Sequence, residues 1–88
     1  MKIIATGQYK KDFKKYRNIP SKVEKIFTVV NMLQKDKKIP KEYLPHKLEG
    51  VYKGCMECHI ENDLLLIWFD VKNDLIKLIR IGSHSELF

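Results

Sequence analysis

The chain has 88 residues, 44% of them hydrophobic and 32% charged, with a formal net charge of +6. That size holds one domain, residues 1–88, with one modest core that buries about 60 to 65% of the unfolded surface. The composition excludes a disordered or low-complexity chain, and no internal repeat is visible. The start, Met1-Lys2-Ile3-Ile4-Ala5, lacks the apolar core of a signal peptide, and no apolar run approaches the roughly 20 residues that span a bilayer. The expectation is a soluble, cytoplasmic protein with no membrane partner. Charge is uneven: residues 1–38 carry eleven Lys and Arg against three Asp and Glu, a balance of +8, and residues 39–88 carry six against eight, a balance of −2. Such a basic half faces a polyanion or an acidic partner, nucleic acid foremost, although lysines also serve as a solvated face.

In chain order, Lys2 to Thr6 reads as a short strand, and Thr6-Gly7 opens a helix. Tyr9, Phe13 and Tyr16 recur at helical spacing and form an aromatic core stripe, surrounded by Lys10, Lys11, Lys14, Lys15 and Arg17. Asn18-Ile19-Pro20 stops that helix, and Ser21-Lys22-Val23-Glu24 reads as a capping box for the next. Val23, Ile26, Phe27, Val30 and Leu33 are the expected buried stripe of this second helix, which fades near Asp36-Lys37-Lys38 and pairs with the first as a hairpin. Ile39 to Leu48, with Pro40 and Pro45, reads as a loop carrying His46. Leu48 to Lys53 is expected as a short strand interrupted by Gly50, with a turn at Gly54.

From Cys55 to Glu61 polar and apolar residues alternate, so at strand period Cys55, Glu57, His59 and Glu61 share one face and Met56, Cys58 and Ile60 the other. Asn62-Asp63 is a turn, Leu64 to Phe69 a central strand covered on both faces, Lys72-Asn73-Asp74 another turn, and Leu75 to Ile81 the last strand. A strand, two helices and then four strands argue an α+β fold: an N-terminal strand and helix hairpin packed on a four- to five-stranded, mainly antiparallel sheet.

Two constellations could carry chemistry. Cys55-Met56-Glu57-Cys58-His59 matches the haem attachment pattern, yet as a strand it sends the two cysteines to opposite faces. It also lacks the second ligand pair of a structural zinc site. Both cysteines are expected as reduced thiols. The other set is His46, His59, Asp63, Arg80 and His84, placed on the loop, the strand ends and the tail. Cleaving RNA through its own 2′-hydroxyl needs a base, an acid for the departing 5′-oxygen, and a cation for the phosphorane, and no metal or cofactor. Histidine, with a reference pKa of about 6.5, takes either proton role at neutral pH, and arginine supplies fixed charge. Scattered surface polar residues are the plainer reading of the same set.

Four segments bear a family likeness: His46-Lys47-Leu48-Glu49-Gly50, Tyr52-Lys53-Gly54, Glu57-Cys58-His59-Ile60 with Asp63 and the run Leu64 to Trp68, and Arg80-Ile81-Gly82-Ser83-His84-Ser85-Glu86-Leu87-Phe88. In them the chain resembles the bacterial type II toxins of the RelE/ParE superfamily, and within it the YafQ-like mRNA interferases. The likeness is strong over residues 46–88 and weak upstream. It implies a RelE-like fold, a cognate antitoxin, ribosome-dependent cleavage of mRNA, and a nuclease site at His46, His59, Asp63, Arg80, His84 and Phe88. In that mechanism His59 or His46, aided by Asp63, takes the 2′-hydroxyl proton, and His84 protonates the leaving oxygen. Lys10, Lys11, Lys14 and Lys15 would grip ribosomal RNA. Two positions depart from the family: Leu64 stands where YafQ-like toxins carry a tryptophan, so that base stacking is either weaker or comes from Phe88, and Met56 replaces an arginine whose role is either lost or supplied by a nearby lysine such as Lys53. The rival reading is a toxin-fold binding module without enzyme activity, directed at gyrase or acting as an antitoxin co-repressor.

Overall fold

The apolar run after Asn62-Asp63 is the centre of the molecule. The computed structural model describes residues 1–72 and 74–88, so the turn expected at Lys72-Asn73-Asp74 lies outside the described residues at Asn73. The elements in chain order are β1 (Lys2–Ala5), α1 (Gly7–Phe13), α2 (Pro20–Gln34), β2 (His46–Lys47), β3 (Met56–Glu61), β4 (Leu64–Val71), β5 (Leu75–Gly82) and α3 (His84–Leu87). The five strands form one sheet in the order β1-β5-β4-β3-β2. The β1–β5 pair is parallel and the other pairs antiparallel, which is the expected α+β class with a mainly antiparallel sheet. None of the described helices is long and apolar enough to cross a membrane.

Leu64 to Trp68 of β4 are each 3% exposed or less, so this strand is covered on both faces. One face carries Cys58, Ile60, Leu64, Leu66, Trp68, Ile76, Leu78 and Ile81, packed against Tyr9 and Phe13 of α1 and Ile26, Val29 and Leu33 of α2. The other carries Cys55, Leu65 and Ile67, capped by Leu87 of α3 and flanked by Leu48, Tyr52 and Ile79. Cys55 and Cys58 are free, buried, and belong to opposite faces.

Two irregularities shift charges between these faces. In β3 the register with β4 slips between His59 and Glu61, so Ile60 is an extra residue and Glu61 falls opposite Leu64 on the helix side. There Glu61 pairs with Lys22 and Lys25 of α2, which corrects the expected grouping of Glu61 with Glu57 and His59. In β5 Trp68 faces Leu78 and Ile67 faces Arg80, so Ile79 is the extra residue. Strict alternation would align Arg80 with Ile76 and Leu78; the bulge delivers it to the other face.

The helices differ from expectation at their ends. The α1 helix stops at Phe13, and residues 14–18 continue as tight turns closed by Lys15 N–H to Asp12 O and Tyr16 N–H to Phe13 O. Lys14 and Lys15 therefore follow the helix instead of lining it, while Tyr16 still packs on the core. At α2 the expected capping box of Ser21 and Glu24 does not form. Pro20 is the first helical residue, with Ile19 before it making no side-chain cap bond. Proline's fixed φ and missing N–H suit that position and place Ser21 inside the first turn. The capping box is found at α3, where Ser83 and Glu86 serve each other's backbone N–H.

Leu48 to Lys53 is not a strand: pairing falls on His46 and Lys47, and Gly50–Tyr52 forms a single 3-10 turn entered at a φ of +72° at Gly50. The buried stripe of α2 is Ile26, Val29 and Leu33, with Phe27 54% exposed and stacked on Phe13 at 6.1 Å. Ile26→Ala is accordingly expected to cost about 2 to 5 kcal/mol, and Phe27→Ala less than half as much despite the larger side chain. Urea denaturation of both variants checks the ranking.

Candidate active site

Cross-strand register explains how distant residues meet. His46 of β2 lies opposite Glu57 of β3, Glu57 opposite Ile67 of β4, and Ile67 opposite Arg80 of β5, so one row crosses four strands. The next row runs His59, Leu65, Gly82, and α3 starts just beyond it. Gly82 eases a close approach here: a Cβ would lie 3.0 Å from Glu86 Oε1 and 3.3 Å from Leu87 Cδ2, and those side chains would have to give way. Its role is to let α3 lie close over the sheet, in place of the tight turn its type suggests.

These two rows and α3 assemble a line of rings. His46 and His59 have centroids 6.3 Å apart, His59 and His84 5.6 Å, and His84 and Phe88 6.3 Å, with Tyr52 edge-on to Phe88 at 5.5 Å. The structure thus brings together His46, His59, His84 and Phe88. His46 and His84 are about half exposed and His59 less so, resting above the apolar floor of Leu65 and Ile67.

Each imidazole has a distinct setting. His46 donates from Nδ1 to the Leu44 carbonyl at 2.8 Å, and its Nε2 stands 3.2 Å from Glu57 Oε1. His84 faces Asp63: its backbone N–H donates to Oδ1 at 2.9 Å and its Nδ1 to the same oxygen at 3.2 Å. The His84 backbone N–H, and next the ring bond, hold the Asp63 carboxyl below its usual range. The His59 ring makes no hydrogen bond among the described residues, and its Nε2 is 3.8 Å from Glu57 Oε1. Asp63 thus bonds His84, and the carboxylate beside His46 and His59 is Glu57.

Glu57 was not legible as a site residue, because an alternating strand presents its glutamates to water by default. Here it is 3% exposed, and its Oε2 has no hydrogen-bond partner among the described residues. A second hidden carboxylate is Asp12, 5% exposed, in the lysine-rich first helix. It takes Arg80 Nε at 2.7 Å and Nη2 at 3.1 Å, while Arg80 Nη1 donates to the Tyr52 hydroxyl at 3.3 Å. None of Arg80's bonds goes to a histidine, so it adjoins the ring line through Tyr52.

The predicted RNA-binding lysines are not equivalent. Lys10, Lys11, Lys14 and Lys53 are exposed, whereas Lys15 pairs with Glu86. At the two departures from the family pattern, Leu64 is 1% exposed in the helix-side core and Met56 packs against that same core. Neither side chain belongs to the site face, and Phe88, 61% exposed, is the aromatic surface beside the histidines.

Comparison with known proteins defines the class first. The fold matches that of solved bacterial toxins: a metal-bound toxin from Helicobacter pylori has a TM-score of 0.89 and 32% identity, covering 100% of this chain and 99% of that one. The Escherichia coli DinJ-YafQ complex matches with a TM-score of 0.83 and 29% identity, covering 98% and 96%. The mRNA interferase toxin YafQ of Escherichia coli K12 is 30% identical over 84 residues, 94% of this chain and 90% of that protein. A family model described as "Bacterial toxin of type II toxin-antitoxin system, YafQ" matches residues 1–88, and the chain belongs to that family. The Helicobacter protein was solved with metal; here no three His, Cys, Asp or Glu among the described residues are grouped to hold one, and no step below passes through a metal.

The tether of α3 to the turns that follow α1 gives a pH test. Glu86 accepts from Lys15, from the Ser83 N–H at 2.9 Å and from the Tyr16 hydroxyl at 3.2 Å. Lys15 foremost, then Ser83, hold its carboxyl at about 2, down from 4.5. A depressed carboxyl stabilises the docked state fully above its unfolded value and loses that contribution as pH falls toward the folded value. The protection factors of the Leu87 and Phe88 amides, the observed exchange rates corrected for the intrinsic pH dependence, should therefore fall between about pH 5 and pH 2. Glu86→Gln should exchange faster at neutral pH and lose most of that dependence.

Proposed function

We propose that this chain is the toxin of a type II pair and an endoribonuclease that cleaves mRNA on the translating ribosome, in the cytoplasm. The observation that carries the reading is the line His46, His59, His84 beside Arg80, three imidazoles in succession on an apolar floor. Family membership and the mRNA interferase name of the Escherichia coli relative support it.

In the proposed step, His59 takes the proton of the 2′-hydroxyl, since its ring makes no hydrogen bond that would compete. The 2′-oxygen bonds to phosphorus as the bond from phosphorus to the 5′-oxygen breaks, giving a 2′,3′-cyclic phosphate. His84 gives its proton to the departing 5′-oxygen: Asp63 holds Nδ1, so Nε2 is turned outward, and the carboxylate complements a protonated ring. Arg80 stabilises the phosphorane charge. Glu57 holds His46, which flanks the base and contacts the message. Phe88 offers a face for a base, and Lys10, Lys11, Lys14 and Lys53 bind RNA phosphates.

The half-exposed histidines support a substrate presented by a large partner, since the site itself encloses little. The basic residues 1–38 suit an acidic antitoxin, and the Escherichia coli DinJ-YafQ toxin-antitoxin complex supports an antitoxin partner.

Single-turnover cleavage should be bell-shaped in pH, because the base must be neutral and the acid protonated. His84→Ala should lower the rate about 100-fold and lose the alkaline limb, with ribosome binding near that of the wild type. Primer extension should show new ends inside coding regions in cells expressing the toxin alone. Arrested growth with intact messages and damaged DNA would favour the gyrase-directed reading instead.

A further inference from the structure

Asp12 is buried and charged, its bonds go to Gln8, Arg80 and Ile81 rather than to a histidine, and it has no part in the proton transfers proposed above. Its two oxygens accept four hydrogen bonds: Oδ2 from Arg80 Nε at 2.7 Å and from the Ile81 N–H at 3.1 Å, Oδ1 from Arg80 Nη2 at 3.1 Å and from Gln8 Nε2 at 3.1 Å. A carboxylate offers about four lone-pair sites, so this one is filled and fixed from four sides. Burial alone would raise its pKa; the bonds from Arg80, Ile81 and Gln8 outweigh that and lower it, so the group is anionic where it sits.

The local structure explains the arrangement. Pairing of β1 with β5 ends at Ala5, opposite Leu78, which leaves the outer edge of β5 beyond it without a strand partner. The α1 helix fills that place, and Asp12 accepts the Ile81 N–H that a longer β1 would have taken. The Ile79 bulge has already sent Arg80 to the site face. An apolar contact could join α1 to the sheet as well, and Tyr9 and Phe13 supply one; a buried ion pair is a costly fastening by comparison.

We infer that Asp12 is a positioning residue of the cleavage site, gripping Arg80 along one edge so that its remaining donors are held toward the scissile phosphate. The inference rests on the role proposed above for Arg80. Of the five guanidinium N–H groups, two go to Asp12 and one to the Tyr52 hydroxyl. One N–H on each terminal nitrogen remains, the fork that suits two oxygens of one phosphate. Tyr52 in turn donates to the Leu87 carbonyl at 3.2 Å, so the same guanidinium is linked to the helix that bears His84. Asp12 thus sets Arg80 and α3 relative to one another without touching substrate.

The test is a double-mutant cycle in single-turnover cleavage of a defined message on purified translating ribosomes, with Asp12→Asn, Arg80→Ala and the double variant. Asp12→Asn keeps the size of the side chain but loses the charge that grips the guanidinium. It should slow cleavage about 10- to 100-fold at saturating ribosomes, with little change in KM, and should add nothing in the Arg80→Ala background. A merely structural Asp12 would slow both backgrounds by the same factor, which would overturn the proposal, as would wild-type cleavage by Asp12→Asn. Wild-type cleavage by Arg80→Ala would instead remove the underlying role of Arg80. Should Asp12→Asn not fold, Arg80→Lys answers the same question with Asp12 in place. A lysine keeps the charge without the fork and should be nearly as slow as Arg80→Ala, and a wild-type rate for it would overturn the proposal.

Discussion

A strand that water cannot reach from either side governs this structure. Leu64 to Trp68 form five consecutive buried residues, flanked in the sheet by β3 and β5 and covered on each face by the elements packed above and below. Helices α1 and α2 cover one face with a broad aromatic and aliphatic layer. The second face has only Leu87, Tyr52 and neighbouring side chains, a thin cap that ends where the histidines begin. The site occupies the margin of that cap, where the apolar floor continues but the cover does not. Charges there work over Leu65 and Ile67, in a setting of lower polarity than open water, while one side remains available to a large ligand.

Much of this could be read from residue types. The apolar run marked the central strand, the order of elements marked the class, and the histidines, Asp63 and Arg80 were picked out by their chemistry. The helical stripe was off by one position, since Val29 and Phe27 are equally plausible by spacing and only the approach angle of α2 chooses between them. The Ser21 box was a local pattern overruled by the stronger geometric preference of Pro20. Glu57 and Asp12 were hidden for a different reason. Each sits in a segment where a charged residue reads as a solvated face, and only tertiary packing shows that neither is in contact with bulk water. A bulge likewise has no mark of its own: Ile60 and Ile79 are ordinary strand residues, and the slip is decided by pairing with β4.

The tail shows how little secondary structure a reactive group needs. The α3 helix is a single turn, too short to be stable alone, and it is fixed by bonds from separate parts of the chain. Asp63 holds its first residue, Lys15 and Tyr16 hold Glu86, and the Tyr52 hydroxyl holds the Leu87 carbonyl. His84 is therefore placed by long-range contacts rather than by the turn that carries it. Family membership extends over residues 1–88, in keeping with a site whose supports include the first helix.

The two bulges act together as a sorting device for charge. With perfect alternation, Arg80 would lie in the helix-side core beside Ile76 and Leu78, an unpaired cation among apolar groups. Glu61 would then lie on the face of His59, adding a further carboxylate to Glu57 and Asp63 beside the histidines. One extra residue in β3 gives Glu61 to the lysines of α2, and one in β5 gives Arg80 to the histidines. Which charges share the face of the histidines is thus written in the register: losing a single residue at either position would conserve almost the whole composition and move one charge to the opposite face of the sheet.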